Sequence, residues 1–86
     1  MIEQILQNEI EKCLSKLYGA VEQSIQFQKT RKDFEGDITL VVFPLLRASK
    51  KGAEQTAKEI GNYLKEKVNE VSDFNVVKGF LNLSIS

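Results

Sequence analysis

The closing stretch Phe74-Asn-Val-Val-Lys-Gly-Phe-Leu-Asn-Leu-Ser-Ile-Ser86 decides the fold. Two alternating runs meet at Lys78-Gly79. Period two is the signature of a strand, and the junction reads as a hairpin or a bulged bend. In the second run Leu81, Leu83 and Ile85 share one face, while Phe80, Asn82, Ser84 and Ser86 share the other. If the leucine face is core, a large aromatic and an amide stand together on the outer face.

Working outward from that hairpin, Val71-Ser72-Asp73 reads as a connector. Before it, Ala53, Ala57, Ile60, Leu64 and Val68 recur at helical spacing and predict a helix over 53–68. Gly61 weakens this helix by about 1 kcal/mol against alanine if it is exposed. Further upstream, Pro44 ends a β-branched and aromatic strand, Ile38–Phe43, and opens a short helical segment with Leu45, Leu46 and Ala48. Lys50 and Lys51 sit at the end of that segment, where cations suit the helix dipole, and Gly52 breaks it. Residues 24–29 alternate as a half-buried strand with Ile25 and Phe27 inward. The charged stretch from Lys29 to Asp37, containing Gly36, is a hairpin loop between the two strands.

At the other end, Ile2, Ile5, Leu6, Ile10, Cys13, Leu14 and Leu17 form one helical stripe, and Tyr18-Gly19 supplies a left-handed stop. Cys13 lies in the stripe as a buried small hydrophobe. The order is helix, two strands, helices, two strands. It predicts a single α+β domain over residues 1–86. A small antiparallel sheet of about four strands carries two long helices and one short helix on one face.

Composition excludes several functions. The 86 residues include no histidine and one cysteine, so there is no His-based triad, no His ligand, no internal disulfide and no multi-Cys zinc site. No apolar run approaches the ~20 residues of a membrane span, and the N-terminus is unlike a signal peptide, so the expected compartment is the cytosol. Twelve cations balance twelve acids, which argues against coating nucleic acid by bulk electrostatics and so against DNA as a partner. Only residues 29–51 are net basic, and a solvated surface explains that adequately. Asp33, Glu35 and Asp37 lack the spacing of a calcium loop and read as a solvated, salt-bridged loop. No catalytic or metal-binding residue is assigned.

Phe80 with Asn82 differs from these. An exposed ring stacks on an unpaired base, and a nearby amide bonds the base's edge. The other reading is that Phe80 packs under a helix or loop; periodicity leaves both open.

Over its whole length the chain resembles the N-terminal domain of bacterial arginyl-tRNA synthetases. The landmarks are Phe34-Glu-Gly-Asp37 after the first strand, Ser49-Lys-Lys-Gly52 ahead of the long helix, and the closing Gly79-Phe-Leu-Asn-Leu83. The wording Leu40-Val-Val-Phe-Pro-Leu-Leu46 is similar to that of the Bacteroides group. The resemblance implies a domain at the outer corner of the tRNA that contacts the D-loop. It places Phe80 against a D-loop base and Asn82 in hydrogen-bond reach of it. Lys78, Lys50 and Lys51 become candidates for phosphate contacts, which position RNA without reading it.

Two departures stand out: Val77-Lys78-Gly79-Phe80 replaces a frequent Gly-Pro-Gly-Phe, and Ile38 and Val41 occupy places where many members carry an aromatic and an Asn. The resemblance further implies an excised, non-catalytic piece without cofactor of its own. Its partners would be arginine tRNA and the catalytic core of the same chain. Catalytic core and anticodon-binding domain would lie outside this sequence, and the parent would join arginine to tRNA using ATP and Mg. An alternative is a protein-interaction or interdomain docking module that touches no RNA.

Overall fold

The structure is a computed structural model and describes residues 2–19 and 25–86. Helix α1 spans Ile2–Tyr18, β1 Phe27–Lys29 and β2 Ile38–Val41. A 3-10 turn at Phe43–Leu45 leads into α2 (Leu46–Ser49), then α3 (Ala53–Lys67), β3 (Val71–Val77) and β4 (Phe80–Ile85). The strands form one antiparallel sheet in the order β1-β2-β4-β3. The expected fold is therefore the observed one. Ser24, the first residue of the expected 24–29 strand, lies outside the described residues.

Register confirms the parity of the last strand. Leu81 pairs with Leu40 on one side and Val76 on the other, and Leu83 pairs with Ile38 and Phe74. Directly opposed residues share a face, so these side chains form the inner layer. Leu81, Leu83 and Leu40 are completely buried there, together with Leu6 and Ile10 of α1 and Ile60 and Leu64 of α3. The β3–β4 turn is tight because Lys78 and Gly79 both adopt positive φ, 48° and 81°, the geometry of a two-residue hairpin whose twist matches its strands.

Three readings of the elements need correction. The strand expected over Ile38–Phe43 ends at Val41, and Phe43 opens the 3-10 turn. Val71-Ser72-Asp73 is no connector: it is the first part of β3, with Val71 paired to Ile85 across a bulge between Val71 and Asp73. The bulge inserts an unpaired residue, which breaks the period-two pattern at that point. Gly61 is buried rather than exposed. A Cβ there would sit 2.6 Å from the Phe74 ring, so its missing side chain is what lets β3 approach α3 closely.

Candidate nucleic-acid interface

Each strand contributes polar side chains to the outer face. Thr39 of β2 and Asn75 of β3 both pair in register with Asn82 of β4, and Thr30 follows β1 directly. Thr39 Oγ1 donates to Asn82 Oδ1 at 2.6 Å. A hydroxyl has a single proton, so in the 2.8 Å contact between Thr30 and Thr39 it is Thr30 that donates. Asn82 Nδ2 donates to Asn75 Oδ1 at 2.9 Å, and Asn75 Nδ2 donates to the Glu35 carbonyl at 2.7 Å. A one-directional relay thus crosses the sheet from Thr30 to Glu35.

The loop between β1 and β2 covers this relay. Gly36 has φ +140°, and a Cβ there would meet Thr30 Oγ1 at 3.1 Å and Asn82 Cβ at 3.2 Å. Asp37 anchors the loop's end, donating its N–H to the Leu83 carbonyl at 2.7 Å while Oδ2 accepts from the Ile85 N–H at 2.8 Å. The loop is therefore strapped onto the sheet by hydrogen bonds. Among the described residues Asp33, Glu35 and Asp37 enter none of the ion pairs, contrary to the salt-bridged loop expected. Asn82 is consequently 1% exposed, an amide built into the sheet rather than standing free.

Beside the relay opens a cavity of about 290 Å³. Thr39 and Asn82 form its buried polar floor, Phe34, Val77 and Phe80 its apolar walls, and Gln28, Arg31 and Lys78 its exposed rim. The Phe80 ring is half-buried and meets Phe43 edge-to-face, with centroids 6.0 Å apart and planes at 85°. Phe43 itself is 52% exposed. A larger depression, about 600 Å³, lies between α1 and α3. Its lining, Asn8, Glu11, Lys12, Ser15, Lys16 and Tyr63, is made of surface side chains with no buried polar group, so size alone does not select it.

Of the residues expected at the site, Phe80, Asn82 and Lys78 converge on the smaller cavity. Lys50 and Lys51 do not line it. Lys50 closes α2 in the left-handed conformation, φ 57°. Lys51 reaches the other way, 2.8 Å from Glu59 Oε2 and 5.7 Å above the Tyr18 ring. Tyr18 also donates to Glu59, at 2.7 Å. The Lys51 and Tyr18 hydrogen bonds hold the Glu59 carboxyl below its usual range, while burial first, then the bond to Glu59, pushes the Tyr18 phenol up.

Gln28, Arg31, Phe34, Thr39 and Val77 were not singled out from the sequence. Thr39 carried a usable signal, since it alternates with Ile38 and Leu40 and so shares the outer face. Phe34 stood in a landmark of the resemblance but was given no role, and Arg31 carried no signal: both reach the site through the fold-back of a loop.

Residues 4–85 match the family model described as the arginyl tRNA synthetase N terminal domain. The chain belongs to this family. An arginine–tRNA ligase of Bacteroides thetaiotaomicron is 59% identical to this N-terminal domain over 75 residues, covering 85% of the chain and 13% of that ligase. One from Phocaeicola vulgatus is 56% identical over 88 aligned positions, 99% of the chain and 14% of the ligase. The domain thus spans about one-seventh of the curated relatives it matches. The solved Thermus thermophilus arginyl-tRNA synthetase shares its fold, with a TM-score of 0.79 over 100% of this chain and 14% of that one, at 23% identity. The resemblance stated from the sequence, down to its Bacteroides-group wording, is borne out. No described helix is long and apolar enough to cross a membrane.

Proposed function

We propose that this arginyl-tRNA synthetase N-terminal domain is a tRNA-binding appendage that holds the tRNA elbow through the D-loop. The carrying observation is the convergence of a partly exposed ring, a buried amide and two cations on one small cavity. Phe80 is the stacking surface for an unpaired base. The Asn82 carboxamide has two N–H donors and two carbonyl lone pairs. The relay uses one of each, which leaves one N–H and one lone pair uncommitted at the cavity floor, where the residue is 1% exposed. Lys78 and Arg31 contact phosphate at the rim. Lys50 is a further phosphate contact, whereas Lys51 serves only if it leaves Glu59.

The parent attaches arginine to tRNA in the cytosol with ATP and Mg, using a catalytic core on the same chain. The cavity does not fit ATP: its two cations flank aromatic walls, and the residues around it include no Gly-rich phosphate loop. Holding the elbow contributes to positioning the acceptor end, and no chemical step is assigned to these residues.

Titration of the ¹⁵N-labelled chain with arginine tRNA tests the reading. The expected result is shifts at Phe80, Lys78, Arg31 and the Asn82 side-chain amide. With Lys78, Arg31 and Lys50 as the phosphate contacts, the slope of log affinity against log salt is shallow, about −2 to −3. Absence of shifts, or shifts confined to α1 and α3, would sink the reading and favour the protein-docking alternative.

A further inference from the structure

The relay under the cavity has a polarity, and one end sets it. Hydroxyls adapt: Thr30 and Thr39 serve equally well whichever way their protons point. A carboxamide has two distinct ends, and a backbone carbonyl only accepts. Asn75 Nδ2 must therefore face the Glu35 carbonyl, 2.7 Å away. That forces Asn75 Oδ1 towards Asn82, which must answer with Nδ2, 2.9 Å away. The Asn82 carbonyl is left pointing at Thr39. Reversing Asn82 would bring its Oδ1 against Asn75 Oδ1, or, with Asn75 turned as well, Asn75 Oδ1 against the Glu35 carbonyl. Either arrangement sets two acceptors face to face at hydrogen-bond distance.

We propose that Asn75 is a specificity-determining positioning residue: it holds the Asn82 amide in one of its two senses and so decides which order of donor and acceptor a nucleobase in the cavity must present. The inference rests on the tRNA-binding reading above and deepens it. Asn75 does not line the cavity; it acts through Asn82. Thr39, although it makes the shortest bond to Asn82, does not set the sense, because its hydroxyl bonds either end of the amide.

The test uses the 86-residue chain and transcribed arginine tRNAs in which each unpaired D-loop nucleotide is in turn A, C, G or U. Binding is measured by titration, and folding by the amide spectrum of β3 and β4. The wild-type chain should favour one base at one position by roughly five- to 100-fold, the range of a well-placed amide. Asn75→Leu removes the bias on Asn82, and the preference should fall to within about twofold. Asn75→Asp leaves an acceptor-only group facing Asn82 while its second oxygen meets the Glu35 carbonyl, so in a chain whose β3 and β4 amide spectrum stays wild-type the preference should survive. Thr39→Val should also retain it.

A folded Asn75→Leu chain with the wild-type preference would overturn the proposal. So would a folded Asn75→Asp chain that has lost the preference, which keeps the idea refutable if the leucine variant fails to fold. Phe80→Ala separates the two levels. If it leaves affinity for every tRNA unchanged, the tRNA-binding reading fails and the inference with it. If it weakens binding while Asn75→Leu still discriminates, only the inference fails.

Discussion

Thr39 Oγ1 donates to Asn82 Oδ1 across 2.6 Å, between residues paired in register on neighbouring strands. That bond makes the amide at the floor of the cavity part of the sheet's own bracing. An amide held this way loses little rotamer freedom when a ligand arrives, because the ordering is already done on folding.

Phe80 is the residue whose loss should register in tRNA binding with least structural damage. Its ring is only half-buried and touches Phe43 at an edge. Truncation of a stacking aromatic costs about 1–3 kcal/mol per base. In the proposed full-length ligase, Phe80→Ala should raise the KM for tRNA by roughly five- to 150-fold, with arginine activation by ATP intact. Steady-state aminoacylation and ATP–pyrophosphate exchange check the two halves.

Gly36→Ala should loosen the strap over the relay. The new Cβ would meet Thr30 and Asn82 at 3.1–3.2 Å, on a backbone at φ +140° that L side chains rarely adopt. Such strain costs of order 1–3 kcal/mol. Urea denaturation should show that loss, and hydrogen exchange at the Asp37 and Ile85 amides should quicken. An unchanged midpoint would show that the loop has room to spare.

Gly61→Ala tests packing against propensity. Helix propensity alone favours alanine by about 1 kcal/mol. Here the Cβ would sit 2.6 Å from the Phe74 ring, and overpacking of this kind costs about 1–3 kcal/mol. The expected sign is destabilising. A rise in Tm would mean that Phe74 moves aside freely.

Glu59 links stability to pH. Its folded pKa is lowered, first by the hydrogen bond from Lys51 and then by that from Tyr18. A depressed carboxyl contributes stability above its unfolded pKa, and that contribution is lost as pH falls through the folded value. Stability should therefore fall as the pH drops below the ordinary carboxylate range, and Glu59→Gln should flatten this limb. Urea midpoints from pH 7 to pH 2 decide; identical acid limbs would remove Glu59 from the account.

Cys13 should be inert. It is fully buried on α1, and burial first, then the charge of Glu59, pushes its thiol up to about 12. The thiolate is the reacting species, so alkylation at pH 8 should be negligible until denaturant unfolds the chain. Rapid labelling of the native chain would place Cys13 outside the core.

The order of elements, the helix stripes and the facing of β4 were all written in local pattern, because burial on one side imposes a period of two on strands and about 3.6 on helices. Alternation set Leu81 and Leu83 on one face of β4 and Phe80 and Asn82 on the other, and the aliphatic face is the one that lies in the core. What covers the outer face was not written there. Whether Asn82 is free or strapped depends on the Arg31–Asp37 loop folding back, on Gly36 allowing contact and on Asn75 reaching the Glu35 carbonyl. The start of β3 was hidden by a bulge, and Gly61 drew its meaning from a ring thirteen positions away. Local periodicity reports only which side of an element is dry. Contacts between residues distant in sequence have no such signature, so the floor of the cavity, its rim and the direction of its hydrogen bonds belonged to the tertiary structure alone.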